Sequence, residues 1–180
     1  VIFSPDGKYL ATAGWDGTIR IWSRSSGKLL SKLKGKVGNI SFSSDGKRLV
    51  TGGEDGTANI WNVTGQLLGK LPGHQGVVTS ISFSPDGQRL ATAGRDGNVK
   101  VWDNNGNLLA NLKGHLGRVL EINFSSDREL LLTLGEDGTG RIWELEGNHE
   151  AKIKGDSDIF GAVSFSPNGE KLVTMGAVSY

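Results

Sequence analysis

The chain has 180 residues, of which 36% are hydrophobic and none is cysteine, so disulfides, thiolate metal sites and cysteine nucleophiles are excluded. Its 20 basic and 19 acidic residues give a formal net charge of +1, which disfavours a polyanionic partner such as nucleic acid or an anionic membrane. No apolar run approaches the about 18 residues that span a bilayer, and the first residues do not resemble a signal peptide. We therefore expect a cytoplasmic protein.

A motif close to Phe-Ser-Pro-Asp-Gly recurs along the chain at nearly constant spacing. Its phenylalanines stand at 3, 42, 83, 124 and 165, and tryptophans at 22, 61, 102 and 143 keep the same spacing. A period near 41 residues predicts a repeat architecture. We expect one domain over 1–180, divided into units at about 1–34, 35–72, 73–113 and 114–154 and a partial unit at 155–180.

The third unit illustrates the predicted elements in chain order. Short strand patterns occur at 80–83 (SISF), 90–93 (LATA), 99–102 (VKVW) and 108–112 (LLANL). We expect two-residue hairpin turns at Asp86-Gly87, Asp96-Gly97 and Asn105-Gly106, because such turns need a positive φ that glycine adopts without strain. No stretch has convincing helical spacing, so the sequence predicts an all-β domain of four-stranded antiparallel units.

The third strand of each unit indicates how the units meet. In TIRIW, TANIW, NVKVW and TGRIW, one face carries small or β-branched apolar residues and the other carries the tryptophan. Apolar residues on both faces indicate that both faces are covered, as when small sheets stack face to face around an axis. The sequence therefore predicts a propeller.

The motifs Gly-His, FSPDG, LATAG and Asp-Gly, followed by Val-Trp and Asp103, resemble those of the WD-repeat β-propeller family in order and spacing. The resemblance covers essentially the whole chain. It implies four-stranded antiparallel blades around a central channel, with the first strand of each unit nearest the axis. Four blades and a terminal hairpin make an incomplete ring, so we expect a fragment of a longer protein that is marginally stable or self-associating on its own.

The resemblance also implies a structural hydrogen-bond tetrad in each regular blade. The complete sets are His74, Thr92, Asp96 and Trp102, and His115, Thr133, Asp137 and Trp143. Tryptophan offers one N–H donor, threonine accepts and donates onward, and neutral histidine passes the chain to a carboxylate. Lys36 stands near the place of the histidine in the second unit and Asp156 replaces it in the fifth, whereas the first unit begins after that position.

A histidine between a hydroxyl and a carboxylate also resembles a nucleophilic triad. Repetition of the set favours a structural role, because every blade needs to be stabilised whereas an enzyme rarely needs several copies of one site. The stretch Asp103 to Asn107 resembles part of a calcium loop but is better explained as a turn, and His149 with Glu150 lacks a second histidine at ligand spacing. We expect no catalytic residue, metal or cofactor.

The remaining candidates are recognition residues on the narrow face of the propeller. The resemblance places partner contacts before each first-strand core and just before the aspartate of each second turn. By register these are Lys36, Val77, Thr79, Arg118, Leu120 and Ile159, with Trp15, Glu54, Arg95 and Glu136 at the turns. Trp15, Arg95 and Arg118 are the first choices, since tryptophan and arginine are common interface anchors.

The function that these patterns predict is a non-catalytic scaffold that binds a protein or peptide, without a small-molecule substrate or a membrane. One alternative is a sensor or regulatory propeller of a larger enzyme or signalling protein. A nucleic-acid-binding propeller would need a basic face, which the near-zero charge disfavours. A propeller enzyme would need a unique polar cluster at the axis, and the repeated residues offer none.

Overall fold

The computed structural model describes residues 1–14, 16–35, 37–127, 129–145, 150–154, 160–166 and 172–176. Over these ranges the chain forms strands joined by turns, and they contain no helix. None of these ranges therefore supplies a helix that could cross a membrane.

The strands form four four-stranded sheets and one two-stranded sheet, all antiparallel, which we call blades 1 to 5. Each blade consists of consecutive strands in chain order. Blade 1 contains β1 (Ile2–Phe3), β2 (Tyr9–Ala13), β3 (Thr18–Ser23) and β4 (Leu29–Lys34), and blade 2 contains β5 (Val37–Phe42), β6 (Arg48–Gly53), β7 (Ala58–Asn62) and β8 (Leu67–Leu71). Blade 3 contains β9 (Val78–Phe83), β10 (Arg89–Gly94), β11 (Asn98–Asp103) and β12 (Leu108–Lys113). Blade 4 contains β13 (Val119–Phe124), β14 (Leu130–Gly135), β15 (Thr139–Glu144) and β16 (Glu150–Lys154), and blade 5 contains β17 (Phe160–Phe165) and β18 (Leu172–Gly176).

The first strands of neighbouring blades contact one another: β9 lies against both β5 and β13. Hydrogen bonds bridge them, including those from Asn39 Nδ2 to the Thr79 carbonyl at 3.4 Å and from the Ile122 amide to Ser80 Oγ at 3.3 Å. The later strands of each blade follow outward from this centre. The described chain is thus an incomplete propeller, and the predicted all-β fold is confirmed.

The core lies between consecutive blades. Trp102 packs with Val50 and Ile60 of blade 2. On the other face of β11, Val99 and Val101 pack with Val119 of blade 4. Blades 1 and 2 enclose a third cluster in the same way. Both faces of the middle blades are therefore covered, which explains why their strands carry apolar residues on both sides.

The turns differ from the two-residue hairpins expected from the sequence. Residues 84–88 join β9 to β10, and residues 95–97 join β10 to β11. The expectation was wrong because each turn is closed one residue earlier: the Gly87 amide donates to the Ser84 carbonyl and the Gly97 amide to the Gly94 carbonyl. Both Gly87 and Gly97 have positive φ, at 68° and 75°, so the predicted reason for glycine holds.

A bulge interrupts the first strand pair of each middle blade. Val78 pairs with Gly94 and Ser80 with Ala93, which leaves Thr79 without a partner in the ladder. Leu120 occupies the corresponding position in β13. A bulge re-aims the side chain of its extra residue, so these two side chains leave the regular alternation of the strand.

Candidate functional site

The predicted tetrad of blade 3 is assembled by hydrogen bonds. Trp102 Nε1 donates to Thr92 Oγ1 at 3.0 Å, and His74 Nε2 lies 2.9 Å from the same oxygen. His74 Nδ1 lies 3.1 Å from Asp96 Oδ1. The four side chains come from the loop before β9, from β10, from the second turn and from β11, so they connect separate parts of the blade.

The chemistry of the four groups determines the direction of the hydrogen bonds. An ionised carboxylate only accepts, so the proton of a neutral His74 lies on Nδ1 and points to Asp96. His74 Nε2 is then an acceptor and receives the proton of Thr92 Oγ1. The same oxygen accepts the indole N–H of Trp102, and every polar group of the set is satisfied.

Blade 4 repeats this arrangement. Trp143 Nε1 donates to Thr133 Oγ1 at 3.0 Å, His115 Nε2 lies 2.7 Å from that oxygen, and His115 Nδ1 lies 3.1 Å from Asp137 Oδ1. Thr139 Oγ1 also donates to Asp137 at 2.7 Å. The second copy therefore has one additional support for its carboxylate.

Each aspartate also fixes the backbone of the loop that leads into its blade. The Gln75 amide donates to Asp96 at 2.9 Å, and the Leu116 amide donates to Asp137 at 2.9 Å. The tetrads thus hold a loop, a turn and two strands together. Thr92 and Thr133 are both fully buried, so no substrate reaches either hydroxyl and neither tetrad is arranged for nucleophilic attack.

Burial lowers the pKa of His74, although the hydrogen bond and charge of Asp96 act in the opposite direction. Burial alone would raise the pKa of Asp96, but hydrogen bonds from the Gln75 amide and from Asn98 and His74 hold that pKa below its ordinary value. The pair at neutral pH is therefore a neutral imidazole and a carboxylate, as the hydrogen-bond directions require.

Blades 1 and 2 contain only part of the set. Trp22 Nε1 donates to Thr12 Oγ1 at 3.2 Å, and Trp61 Nε1 donates to Thr51 Oγ1 at 3.0 Å. In blade 1 the carboxylate of Asp16 accepts from Arg20 at 2.8 Å, and this hydrogen bond holds the pKa of Asp16 below its usual range. Arg20 thus pairs directly with the aspartate of blade 1.

Arg20 belongs to a position that sequence reasoning missed. The residue two places before each repeated tryptophan lies opposite the tetrad threonine: Thr12 pairs with Arg20 and Thr92 with Lys100. Its counterpart in blade 4, Arg141, is buried and donates to the Gly114 carbonyl at 2.6 Å. The recurrence of a basic residue in an otherwise apolar strand was the signal that could have revealed this role.

The serine of each recurring Phe-Ser motif is a second feature that was missed. Ser84 Oγ donates to Asp86 at 2.6 Å and accepts from the Arg89 amide at 2.9 Å. The same pattern recurs at Ser4, Ser43 and Ser125. These serines close the first turns, and their repetition beside an Asp-Gly pair was visible in the sequence.

The second turns and the loops that lead into the next blade lie together. The His74 amide donates to the Gly56 carbonyl at 3.2 Å, so the turn of blade 2 meets the loop before blade 3. The Arg95 amide donates to the Val77 carbonyl at 2.9 Å, which closes the same edge of blade 3. We call this surface the turn face; it comprises residues 54–56, 74–77, 95–97, 115–118 and 136–138.

Four predicted recognition residues on the turn face are exposed: Glu54, Arg95, Arg118 and Glu136. The Glu136 amide donates to the Arg118 carbonyl at 2.8 Å, and this backbone hydrogen bond keeps the two residues side by side on the turn face. In the part of the chain that the structure describes, no side chain forms a hydrogen bond or ion pair with the guanidinium groups of Arg95 and Arg118. The side chains of Arg95 and Arg118 are therefore exposed and make no polar side-chain contact with the described part of the fold.

Thr79 has a different environment from that expected of a recognition residue. It is only 7% exposed, and its hydroxyl lies 2.5 Å from the Val119 carbonyl and 3.2 Å from the Ala93 carbonyl. The bulge turns this side chain toward the neighbouring blade, where it links β9 to β13. Leu120 at the equivalent position is exposed, and Val77 is half-buried.

Three of the predicted recognition residues, Trp15, Lys36 and Ile159, lie outside the described residues, as does His149. The stretch after β11 forms a turn: Asp103 accepts from the amides of Asn105 and Asn107, each at 2.8 Å. Among the described side chains, no three His, Cys, Asp or Glu residues lie close enough together to hold a metal ion.

The family described as WD domain, G-beta repeat matches the chain four times, over residues 1–23, 27–62, 65–103 and 106–144. No curated protein gives a significant match. The second match begins before β4 and ends with β7, so a family repeat combines the outer strand of one blade with the first three strands of the next. The matches cover well over half of the sequence. The chain therefore belongs to the WD-domain, G-beta repeat family.

Proposed function

We propose that the chain is a non-catalytic scaffold that binds a protein or peptide partner through the turn face. Repeats of this family generally mediate protein–protein interaction, which supports the proposal at the level of the family. The observation that carries it for this chain is the exposure of Arg95, Arg118 and Glu136 on backbone that is fixed by hydrogen bonds. A backbone that is already ordered loses little conformational entropy on binding, so the entropic cost is confined to the side chains.

The charges and apolar groups of the turn face favour a protein over a polyanion. Arg95 and Arg118 are accompanied by Glu54, Asp55 and Glu136, so the face carries both signs of charge. Leu116 is 85% exposed at its edge. A mixed surface with an exposed leucine suits a protein interface, whereas nucleic acid requires a basic one.

The polar groups that resemble catalytic residues are already used. His74 and His115 each bind a buried threonine and an aspartate in the same way. Two identical sets with inaccessible hydroxyls support a structural role. We therefore assign binding to the exposed turn residues and stability to the tetrads.

The test compares partner capture by the whole chain and by two matched double variants. Arg95→Ala with Arg118→Ala removes two exposed groups from the turn face, and Lys47→Ala with Gln88→Ala removes two exposed residues from the first turns at the opposite ends of the strands. We expect proteins captured by the wild type to be lost from the first variant and retained by the second, with both variants folded by circular dichroism. Equal capture by both variants contradicts the turn face as the binding surface.

A further inference from the structure

Blade 2 contains a polar cleft at the position that histidine fills in blades 3 and 4. The cleft has a volume of about 420 Å³ and is lined by Thr51, Asp55 and Asn59, with Lys34, Gly35 and Glu54 at its sides. This volume falls within the range of small-ligand sites in proteins. It opens at the turn face, between the end of blade 1 and the second turn of blade 2.

The hydrogen-bonding groups around the cleft match those that hold His74. Trp61 Nε1 donates to Thr51 Oγ1 at 3.0 Å, as Trp102 does to Thr92. The Thr57 amide donates to Asp55 at 3.0 Å, and the equivalent turn hydrogen bond in blade 3 is 3.2 Å. The threonine and the aspartate of a tetrad are therefore in place without the histidine.

Two differences from blades 3 and 4 together open the space. Only two residues lie between β4 and β5, whereas six lie between β8 and β9 and five between β12 and β13, and the short loop has no histidine. Asn59 replaces the long basic side chain that lies opposite the tetrad threonine in the other blades. In blade 3 that side chain, Lys100, packs beneath the loop, where a methyl group on Gly73 would lie 3.3 Å from its Cε. Blade 2 lacks both side chains that fill this region elsewhere.

The local packing shows the same difference at the glycine before each second turn. A methyl group on Gly94 would overlap the ring of His74, and one on Gly135 would overlap the ring of His115. At Gly53 the nearest neighbours of such a methyl group are Asp55 and the Thr57 carbonyl. Among the described residues, no imidazole occupies the space beside Gly53 that corresponds to the ring.

Thr51 defines the kind of ligand. It is only 3% exposed, and its oxygen accepts the indole proton of Trp61. No described residue accepts the proton of its hydroxyl. A ligand that completes the set must accept that proton and also donate to Asp55. Neutral imidazole does both, whereas lysine and arginine only donate.

We propose that this cleft binds the imidazole side chain of a histidine presented by a protein partner. The Thr51 hydroxyl donates to one ring nitrogen, and the N–H of the other donates to the Asp55 carboxylate, as in blades 3 and 4. The inference rests on the proposed function in one respect, that the histidine belongs to a protein bound at the turn face. It gives blade 2 a specificity for histidine that the blades with complete tetrads cannot have.

The test follows the indole N–H signal of Trp61 by nuclear magnetic resonance in the whole ¹⁵N-labelled chain, assigned with Trp61→Phe. Imidazole is added first, and then a peptide with the sequence of residues 71–77, LPGHQGV, or the same peptide with Phe or Arg in place of histidine. We expect a saturable shift of the Trp61 signal with imidazole and with the histidine peptide only. Asp55→Asn, which keeps an acceptor for the Thr57 amide, should weaken both by about tenfold or more.

His74→Gly supplies the positive control, because it creates an imidazole-sized space in blade 3 and its Trp102 signal should respond to imidazole. If His74→Gly does not fold, His115→Gly serves as the control instead, followed through the indole N–H signal of Trp143. The proposal is overturned if Trp61 does not respond while the control does, if Asp55→Asn binds equally well, or if the Phe or Arg peptide binds as tightly as the histidine peptide. A response that requires Lys36→Ala also overturns it, since the chain's own lysine would then occupy the cleft. Failure of this test leaves the comparison of the Arg95 and Arg118 variants unaffected.

Discussion

Blades 3 and 4 contain complete tetrads, whereas blades 1 and 2 are built on the same strand pattern without the histidine. In blade 3 the Thr92 oxygen connects Trp102 to His74, but in blade 2 Trp61 is the only described residue that is hydrogen-bonded to the Thr51 oxygen. The strand register around the two threonines is the same. The repeat therefore does not require the tetrad to form a blade; the tetrad adds a connection between the blade and the loop before it.

Blade 1 shows a different solution from blade 2. Arg20 binds Asp16 directly, so the aspartate of blade 1 is paired with an arginine of its own blade. Asn59 occupies the position of Arg20 in blade 2, where a cleft remains. The residue at this strand position, together with the loop before the blade, thus determines how the space beside the threonine is used.

The largest expected effect separates the two kinds of blade by removing the threonine hydroxyl. Thr92→Val leaves both His74 Nε2 and Trp102 Nε1 buried without a partner, and we expect a loss of about 3 kcal/mol in the free energy of unfolding. Thr51→Val leaves only Trp61 Nε1 unpaired, with a loss of about 1 kcal/mol. Urea unfolding of the two variants measures the difference. Equal losses would contradict the view that the complete tetrad is the stronger fastening.

A pH series sharpens the comparison through the charge state of His74. Because burial lowers the pKa of His74 in the folded protein, the unfolded chain takes up the proton first as pH falls. The stability that His74 contributes is therefore complete above pH about 6.5 and decreases as pH falls below the unfolded value. We expect the difference in unfolding free energy between wild type and His74→Gln to narrow from pH 7.5 to pH 5. If this difference in unfolding free energy widened instead, His74 would be protonated in the folded protein.

The smallest expected effect concerns the exposed turn residues. Arg95→Ala and Arg118→Ala remove side chains without hydrogen bonds or ion pairs among the described residues, so each should change the unfolding free energy by less than about 0.5 kcal/mol. Urea unfolding measures this as well, with Lys47→Ala as a matched exposed control. A loss above about 1 kcal/mol in either arginine variant would mean that the side chain supports the fold rather than a partner.

The sequence was sufficient for the features that recur in register. The spacing of Trp22, Trp61, Trp102 and Trp143 predicts the blades, and the strand alternation predicts that both faces are covered. The members of both tetrads could be named because the resemblance to WD-repeat propellers implies them at matching positions, and their hydrogen-bonding groups are complementary. Features that every repeat shares can thus be predicted from one chain.

The features that sequence reasoning missed depend on backbone geometry or on pairs of residues distant in sequence. The bulge that directs Thr79 to the neighbouring blade could not be predicted, since the sequence of β9 is equally compatible with a regular strand. The turn length depends on the hydrogen bond from the Gly87 amide to the Ser84 carbonyl, which an Asp-Gly pair alone does not specify. The cleft in blade 2 needs both the short loop and Asn59, and neither departure predicts it alone.

The most direct test of the tetrads as fastenings is hydrogen exchange of the indole N–H groups of Trp22, Trp61, Trp102 and Trp143, followed by nuclear magnetic resonance in one sample. Exchange reports how often each hydrogen bond opens, so a better-fastened blade exchanges more slowly. We predict that Trp102 and Trp143, in the blades with complete tetrads, exchange more slowly than Trp22 and Trp61. Equal rates for all four, or faster exchange of Trp102 and Trp143, would contradict the conclusion that histidine fastens these blades.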